Sequence, residues 1–367
     1  MPRVWEFDAL RRLVQQNYAG WEGFFPGRRA IGCLCSYAPL EILHAAGFVP
    51  VRLLAFSSGV GTAGALLPTF CCALARGVTQ RTQNGELGFL HGAVFPHTCD
   101  TVQCLTDIWQ ISFPSMPVLP LSVPTATTAA GAHQYLSEGL EQMAARLGEL
   151  GSPVSEEALW DSIRLYNQQR EVLREIYAEP QKWTAEEIWL MLLSAALMPV
   201  EEHIAALKGL MSRAYKGAAT RESGRLFLAG AMLDEPGISS LIDELGGQVV
   251  GDDLCTGSRW ADMPTAESGD PFDALAERYL KRALCPAKHG DRALRTQLLL
   301  DKMRQTRAHG LVFVLPKYCD PHGFEHAALA QVLRAAAVPS LLIETELSMP
   351  MGQVRTRLQA FLERLAG

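Results

Sequence analysis

The fold of this chain is decided by the stretch Leu311-Val312-Phe313-Val314-Leu315-Pro316-Lys317-Tyr318-Cys319-Asp320-Pro321-His322. Its β-branched and aromatic residues predict a buried strand, and the turn that follows places a cysteine at the carboxyl end of that strand. Open α/β sheets bind their ligands at these ends. The stretch Ala93-Val94-Phe95-Pro96-His97-Thr98-Cys99-Asp100 repeats the pattern, so the sequence predicts two strands that each deliver a cysteine to a ligand site.

Length and composition limit the classes of function. A chain of 367 residues is too long for one small core and favours two domains. The net charge of -6 disfavours nucleic acid as a partner, because binding to phosphates is chiefly electrostatic. The first residues include acids where a signal peptide has an apolar core, and no apolar run approaches the length of a membrane span. We therefore expect a cytoplasmic protein without a membrane partner.

The order of the predicted elements is that of an α/β protein. Strands and helices alternate in residues 1–132, after an amphipathic N-terminal helix, and again in residues 221–367. Apolar residues recur at helical spacing in residues 133–220. The sequence predicts two doubly wound, flavodoxin- or Rossmann-like parallel-sheet domains, each with an independent apolar core, joined by a helical connector.

Two local features of the first domain are interpreted as structural. Gly59-Val60-Gly61-Thr62-Ala63-Gly64 formally fits the dinucleotide-binding fingerprint. That fingerprint must open a helix directly after a strand, whereas here Pro68 follows too soon, so a loop is predicted. Cys104 lies within a predicted helix that starts at Asp100, and it is expected to be a core residue.

The chain contains nine cysteines, although disulfides are rare in the cytoplasm. Cys99 and Cys319 follow strands, while Cys72 lies at the start of a helix, where a thiolate is stabilised and Arg76 adds positive charge. If the two sheets face each other with their carboxyl ends inward, the three thiols can meet in the cleft between the domains. Three thiolates and an open fourth position suit an iron–sulfur cluster, while scattered core cysteines and a structural zinc site remain alternatives.

Two histidines lie close in sequence to these cysteines. His97 and His322 could each orient a ligand through a hydrogen bond or act as an acid or base. Hydrolytic functions are disfavoured, because the chain contains neither the G-x-S-x-G nor the H-E-x-x-H motif.

Several short segments, in a specific order and spacing, carry a resemblance to a known family. They are Gly32-Cys33-Leu34-Cys35-Ser36-Tyr37-Ala38-Pro39-Leu40-Glu41 with Ala45-Ala46-Gly47, Cys72-Ala73-Leu74-Ala75-Arg76, Pro96-His97-Thr98-Cys99-Asp100, Asp253-Leu254-Cys255-Thr256-Gly257-Ser258-Arg259, Lys317-Tyr318-Cys319-Asp320-Pro321-His322 and Gly352-Gln353-Val354-Arg355-Thr356-Arg357. From about residue 28 onward the chain resembles subunits of the 2-hydroxyacyl-CoA dehydratase and benzoyl-CoA reductase family, of the 2-hydroxyglutaryl-CoA dehydratase D-component type.

The resemblance implies a [4Fe–4S] cluster with Cys72, Cys99 and Cys319 as ligands. Cys72 is preferred to its neighbour Cys71 because it fits the family's C-x-x-A-R pattern. The resemblance also implies a CoA thioester substrate, a related second subunit and a separate ATP-hydrolysing activator that delivers one low-potential electron. That electron would pass to the thioester carbonyl or an aromatic ring and start a radical elimination or ring reduction.

Two alternatives within the family remain open. One is a reductase of small molecules with a double-cubane [8Fe–9S] cluster, for which Cys33, Cys35, Cys71 and Cys255 are additional thiols. The other is a partner subunit that relays electrons without catalysing the reaction.

A further group of predicted site residues follows the first strand. Cys35, Ser36 and Tyr37 precede a helix N-terminus, whose free N–H groups could bind a thioester oxygen or a sulfide. We predict that they line the substrate cavity, with a helix-capping role for Ser36 as the alternative. The complete prediction comprises His97, Ser36 and His322 as catalytic residues, Cys35, Tyr37, Cys71 and Arg76 as cofactor contacts, and Cys72, Cys99 and Cys319 as metal ligands.

Overall fold

The structure is a computed structural model that describes residues 5–55, 62–213, 224–234, 237–282, 285–288, 291–347 and 350–367. The predicted loop at residues 59–64 falls partly outside this set. Of its residues, 59–61 are not described, and the remainder belongs to a short 3₁₀ helix, Thr62–Ala65.

Two parallel four-stranded sheets organise the chain. The strands are β1 (Ala30–Cys33), β2 (Val49–Arg52), β3 (Leu90–His97), β4 (Val118–Ser122), β5 (Arg225–Gly230), β6 (Gln248–Asp253), β7 (Gly310–Pro316) and β8 (Ser340–Thr345). The first sheet has the order β2-β1-β3-β4 and the second has the order β6-β5-β7-β8. The two central strands are β1 and β3 in the first sheet and β5 and β7 in the second, which is the flavodoxin-like arrangement with its ligand crevice between the central strands. The predicted α/β fold with two doubly wound parallel sheets is therefore confirmed.

Helices flank both sheets and fill the region between them. They are α1 (Phe7–Gln16), α2 (Trp21–Phe24), α3 (Leu40–Ala45), α4 (Ala73–Gln83), α5 (Asp100–Ser112), α6 (Ala132–Leu150), α7 (Glu156–Ala178), α8 (Ala185–Ser194), α9 (Val200–Met211), α10 (Gly237–Glu244), α11 (Pro271–Lys281), α12 (Arg292–Gln305), α13 (Asp320–Ala335) and α14 (Met351–Ala366). Among the helices of the described ranges, none is long and apolar enough to span a bilayer.

Two local features differ from what the sequence pattern indicates. Strand β4 was not predicted, because Pro117 and Pro120 interrupt its apolar pattern. Proline is tolerated there because β4 lies at the edge of its sheet, where one side of the backbone needs no ladder partner. The prediction of Cys104 as a core residue is wrong: it lies on the exposed face of α5.

One apolar cluster runs through both halves of the chain. It contains Val51 and Phe95 of the first sheet, Leu228 and Val312 of the second, and Leu193 of α8. Each of these side chains is at most 3% exposed. The expectation of two independent cores is therefore wrong, since apolar packing alone already joins the halves.

The other face of the first sheet is completed by a helix from the second half. Ile31 and Val94 of that sheet belong to one buried cluster with Leu140 of α6 and with Leu275 and Tyr279 of α11. Helix α11 follows β6 in the chain, yet it packs against α6 and α7. The chain thus crosses from one sheet to the other and back between β6 and β7, and this crossing leads past the cysteine-bearing strand ends.

Candidate functional site

Three thiols lie at the N-termini of three helices. Cys72, Cys99 and Cys319 are the residues that immediately precede α4, α5 and α13. Backbone N–H groups in the first turn of each helix lie near the sulfur and favour its ionised form. Free N–H groups at a helix N-terminus stabilise negative charge, so all three positions favour a thiolate that binds a metal.

The three cysteines line one cavity between the two halves. Its volume is about 750 Å³. Cys72 and Cys99 reach it from the first half, and Cys319 reaches it from the second. The strand and helix ends indicated by the sequence are therefore brought together at a single place.

Burial and mutual repulsion oppose the ionisation of these thiols. Burial is the main cause that raises the pKa of Cys99 to about 11, and the charges of Cys72 and Cys35 add to it. Burial also raises the pKa of Cys319, with further contributions from Cys72 and Cys99. The thiols are close enough to interact electrostatically, and a cationic metal centre would relieve their repulsion.

The donor set fits an iron–sulfur cluster. In the described ranges, no three or more His, Cys, Asp or Glu side chains converge on a single ion position. A cubane cluster places one iron before each thiolate, so its ligands are more widely spaced than those of one ion. Three cysteine thiols that line one cavity are donors of the type that holds iron–sulfur clusters.

His97 ends β3 and lines the same cavity. Its Nε2 lies 3.3 Å from Oγ1 of Thr106. Burial, followed by the positive charge of Lys288, lowers the pKa of His97 below its usual value. The ring is therefore neutral at pH 7 and is available as a hydrogen-bond partner for a ligand.

His322 lies behind Cys319 and does not belong to the cavity lining. It is 4% exposed, and its Nδ1 lies 3.3 Å from the sulfur of Cys319. Burial, followed by the charges of Arg259 and Arg295, holds the pKa of His322 well below its usual range. Its direct contact is therefore with a candidate ligand residue.

Lys288 and Arg295 bring positive charge to the cavity wall. The ammonium group of Lys288 donates a hydrogen bond to the carbonyl oxygen of Val123 at 2.9 Å. Arg295 bonds Asp253 and Glu325. Sequence reasoning missed both cations, because neither the segment between α11 and α12, which contains Lys288, nor the first turn of α12, which contains Arg295, carries a pattern beyond that of loop and helix.

The residues after β1 lie close to the cavity, but none of them is among its described lining residues. Cys35 is half-buried and is close enough to Cys99 and Lys288 to influence their ionisation. The carbonyl oxygen of Ser36 accepts a hydrogen bond from Arg282. The ring of Tyr37 packs against the same guanidinium, 5.0 Å from its carbon. Their predicted contact with substrate or cofactor remains a prediction.

Cys71 and Arg76 are not among the described lining residues of the cavity either. The guanidinium of Arg76 donates to the carbonyl oxygen of Cys71 at 3.0 Å and pairs with Glu346. The pKa of Cys71 is raised mainly by burial and is influenced by Arg76 and Cys104. The geometry therefore favours Cys72 over Cys71 as the thiol that faces a bound group.

A buried network of charges lies behind Cys319 and was not predicted from the sequence. Asp253, at the end of β6, pairs with Arg259 at 2.6 Å and with Arg295 at 2.5 Å. Arg259 is 1% exposed. Two adjacent acidic residues, Asp252 and Asp253, at the end of a buried strand were the available signal, because a buried carboxylate requires a polar or cationic partner.

Comparison with known proteins gives consistent matches over nearly the whole chain. The family model described as 2-hydroxyglutaryl-CoA dehydratase, D-component, matches residues 35–365. The chain is 26% identical to the (R)-phenyllactyl-CoA dehydratase beta subunit of Clostridium sporogenes, over 92% of each chain. It is 27% identical to a benzoyl-CoA reductase subunit of Thauera aromatica, over 94% of this chain and 93% of that one. It is 28% identical to the lactoyl-CoA dehydratase beta subunit of Anaerotignum propionicum, over 92% of each.

Proposed function

We propose, since this chain belongs to the 2-hydroxyglutaryl-CoA dehydratase D-component family, that it is the iron–sulfur subunit of an enzyme that acts on an acyl-CoA thioester. The reaction would be a dehydration of the 2-hydroxyacyl-CoA type or a reduction of the benzoyl-CoA type. The observation that carries this proposal is the shared cavity of Cys72, Cys99 and Cys319.

The three thiols would hold a [4Fe–4S] cluster and leave one position open toward the cavity. When bound, the cluster would supply a single low-potential electron to the thioester carbonyl or to an aromatic ring. The protein would contribute placement of the substrate and exclusion of water from the reacting atoms.

Two residues that line the cavity, Lys288 and His97, have different roles in the proposed reaction. Lys288 would offset negative charge that develops on the substrate, because its ammonium group is held at the cavity wall by Val123. His97, neutral and facing the same space, would donate or accept a hydrogen bond with the substrate.

The partners are part of the proposal. Each of the relatives named above is one subunit of its enzyme, and two of them are beta subunits, which supports a related second subunit for this chain as well. A separate ATP-hydrolysing activator would supply the electron.

The cluster can be tested by metal analysis of protein purified without oxygen. We expect about four irons and a similar amount of acid-labile sulfide per chain, as for one cubane. Cys319→Ala should lose most of this iron, whereas Cys104→Ala should keep it, because Cys104 is exposed and is not part of the described cavity lining. Full iron in Cys319→Ala would overturn the ligand assignment, and about twice the iron would favour the double-cubane alternative.

Addition of substrate distinguishes a catalytic subunit from one that only relays electrons. Addition of a 2-hydroxyacyl-CoA or an aromatic acyl-CoA should change the visible and paramagnetic resonance spectra of the cluster if the substrate binds beside it. Unchanged spectra, with the partner subunit present and the substrate saturating, would favour a subunit that only relays electrons.

A further inference from the structure

A chain of side-chain contacts leads from Cys319 into the protein interior. Nδ1 of His322 lies 3.3 Å from the sulfur of Cys319. On the other side of the ring, Nε2 lies 3.4 Å from Nη1 of Arg259. Arg259 in turn donates to Asp253 through Nη2, at 2.6 Å, and through Nε, at 3.2 Å.

The chemistry of Arg259 determines which nitrogen of His322 carries the proton. A guanidinium has N–H donors and no acceptor, and it stays protonated in proteins. An N–H group on Nε2 would therefore face another N–H group. A neutral ring avoids this conflict only when Nε2 carries the lone pair and Nδ1 carries the proton.

When a metal centre is bound, Cys319 also requires the proton of His322 to be on Nδ1. A ligating cysteine is a thiolate, which has no proton to donate. Nδ1 must then be the donor of the 3.3 Å contact with Cys319. Two independent neighbours of the ring thus select one tautomer.

Arg259 is held rigidly enough to impose this choice. Its Nη1 also donates to the sulfur of Cys255 at 3.2 Å, and its own carbonyl oxygen accepts a hydrogen bond from Arg282 at 2.9 Å. Its carboxylate partner, Asp253, is further fixed by Arg295 and by Lys302, which lies 3.3 Å from Oδ1.

One competing acceptor lies near the ring. The backbone carbonyl of Gly230 is close enough to His322 to favour a protonated ring nitrogen. With Arg259 in place, an N–H group on Nε2 would bring two donors together. Without Arg259, that conflict is removed, and a proton on Nε2 is no longer disfavoured.

We propose that Arg259 is a positioning residue that fixes the tautomer of His322, so that Nδ1–H donates a hydrogen bond to the sulfur of Cys319 and thereby raises the reduction potential of a cluster bound there. The effect on the potential rests on the proposed function. A hydrogen bond to a ligating sulfur stabilises the more electron-rich, reduced cluster, so its loss lowers the potential. The tautomer itself depends only on residues of this chain.

The tautomer can be measured in the metal-free protein by nitrogen NMR on ¹⁵N-histidine-labelled chains. The signals of His322 are identified by their absence in His322→Asn. In the unsubstituted protein we expect protonated Nδ1, and in Arg259→Met we expect protonated Nε2. Protonated Nε2 in the unsubstituted protein, or an unchanged tautomer in folded Arg259→Met, would overturn the proposal whether or not a cluster forms. If Arg259→Met fails to fold, the tautomer of the unsubstituted protein decides, and protonated Nε2 there would overturn the proposal.

The potential is measured on cluster-loaded variants of equal iron content. His322→Leu should lower the midpoint potential, whereas His322→Asn, whose amide N–H can occupy the place of Nδ1–H, should restore most of the loss. Arg259→Met should lower the potential in the unsubstituted background and should have little further effect in His322→Leu, because Arg259 acts through the ring. An equal shift in both backgrounds would indicate a direct charge effect and would overturn the positioning role. Absence of iron from the unsubstituted protein would instead refute the proposed function and leave the tautomer measurement to decide this inference.

Discussion

Glu41 of α3 and Arg170 of α7 form an ion pair that is buried from solvent, with side-chain exposures of 0% and 2%. The hydroxyl group of Tyr279, on α11, donates to the same carboxylate at 3.4 Å. Burial opposes the ionisation of Glu41, but the charges of Arg170 and Arg278 outweigh it and hold the pKa of Glu41 below its usual value. Three separate parts of the chain therefore meet at one carboxylate.

Arg170→Met should destabilise the fold strongly, because it leaves the charge of Glu41 without its closest partner. We expect the free energy of unfolding to fall by about 3 kcal/mol, as for other broken buried pairs. Arg164→Met on the same helix is the matched control, since its ion pair with Asp161 is exposed and should contribute less than about 1 kcal/mol. Urea denaturation measures both variants, and similar losses would contradict the role given to the buried pair.

The adjacent cysteines Cys71 and Cys72 should differ in their effect on metal content. Cys72 lines the cavity, whereas Cys71 is not among its described lining residues. Cys72→Ser should therefore reduce the iron content of anaerobically purified protein, while Cys71→Ser should retain it. The opposite result would assign the ligand to Cys71.

His203 should make the fold less stable as the pH falls. The ring is fully buried, with Nε2 bonded to the carbonyl oxygen of Met191 at 2.9 Å, and burial lowers its pKa to about 4. The unfolded chain, with an ordinary pKa of about 6.5, binds this proton first as the pH decreases. Stability from this group is thus complete above pH 6.5 and decreases toward pH 4 by up to roughly 3 kcal/mol. His203→Gln should show a smaller slope of unfolding free energy against pH in that window, and parallel curves would refute the assignment.

Gly230→Ala should disrupt the end of β5. Gly230 has a φ of +127°, and a Cβ atom there would lie 2.0 Å from the carbonyl oxygen of Val314 on β7. We expect a loss of roughly 3 kcal/mol or more in the free energy of unfolding. Gly209→Ala in α9 is the control, because no atom lies within 4 Å of its Cβ position and alanine favours a helix by about 1 kcal/mol. A neutral Gly230→Ala would show that the strands can separate there.

Removal of a bound metal centre should loosen the cysteine-bearing turns and leave the sheets intact. Cys99 and Cys319 lie in the turns that immediately precede α5 and α13, while the apolar cluster holds the halves together independently of metal. Hydrogen exchange should therefore increase in residues 96–104 and 316–324 after metal removal, and little in β1 and β5. Faster exchange throughout the central strands would show that the metal centre holds the halves together.

The sequence predicted those parts of the fold that depend on local pattern. The apolar run of β7 and its polar turn at Cys319 indicate a strand end, whatever packs around it. In β4, Pro120 interrupts the apolar pattern that would indicate a strand. A proline is tolerated only in an edge strand, and only the assembled sheet shows that β4 lies at the edge. The exposure of Cys104 likewise depends on which face of α5 meets the sheet.

The sequence predicted those site residues that lie at the ends of helices or strands. It did not predict contacts between segments that are distant in the chain. Cys72, Cys99 and Cys319 each carry a local signal of a helix or strand terminus. The contact of Arg259 with His322 joins residues that are 63 positions apart, and no periodicity specifies it. The same holds for Lys288, whose place at the cavity follows from the passage of α11 across the first sheet.

The position of α11 also governs the order in which the chain can fold during synthesis. The first sheet leaves the ribosome with Ile31 and Val94 on a face that remains partly uncovered until residues 271–281 have been made. For the time needed to translate well over a hundred further residues, that apolar face is open to chaperones or to other nascent chains. A fragment that stops before α11 would expose the same apolar surface permanently. We therefore expect the first half to be poorly stable and prone to aggregation when produced alone.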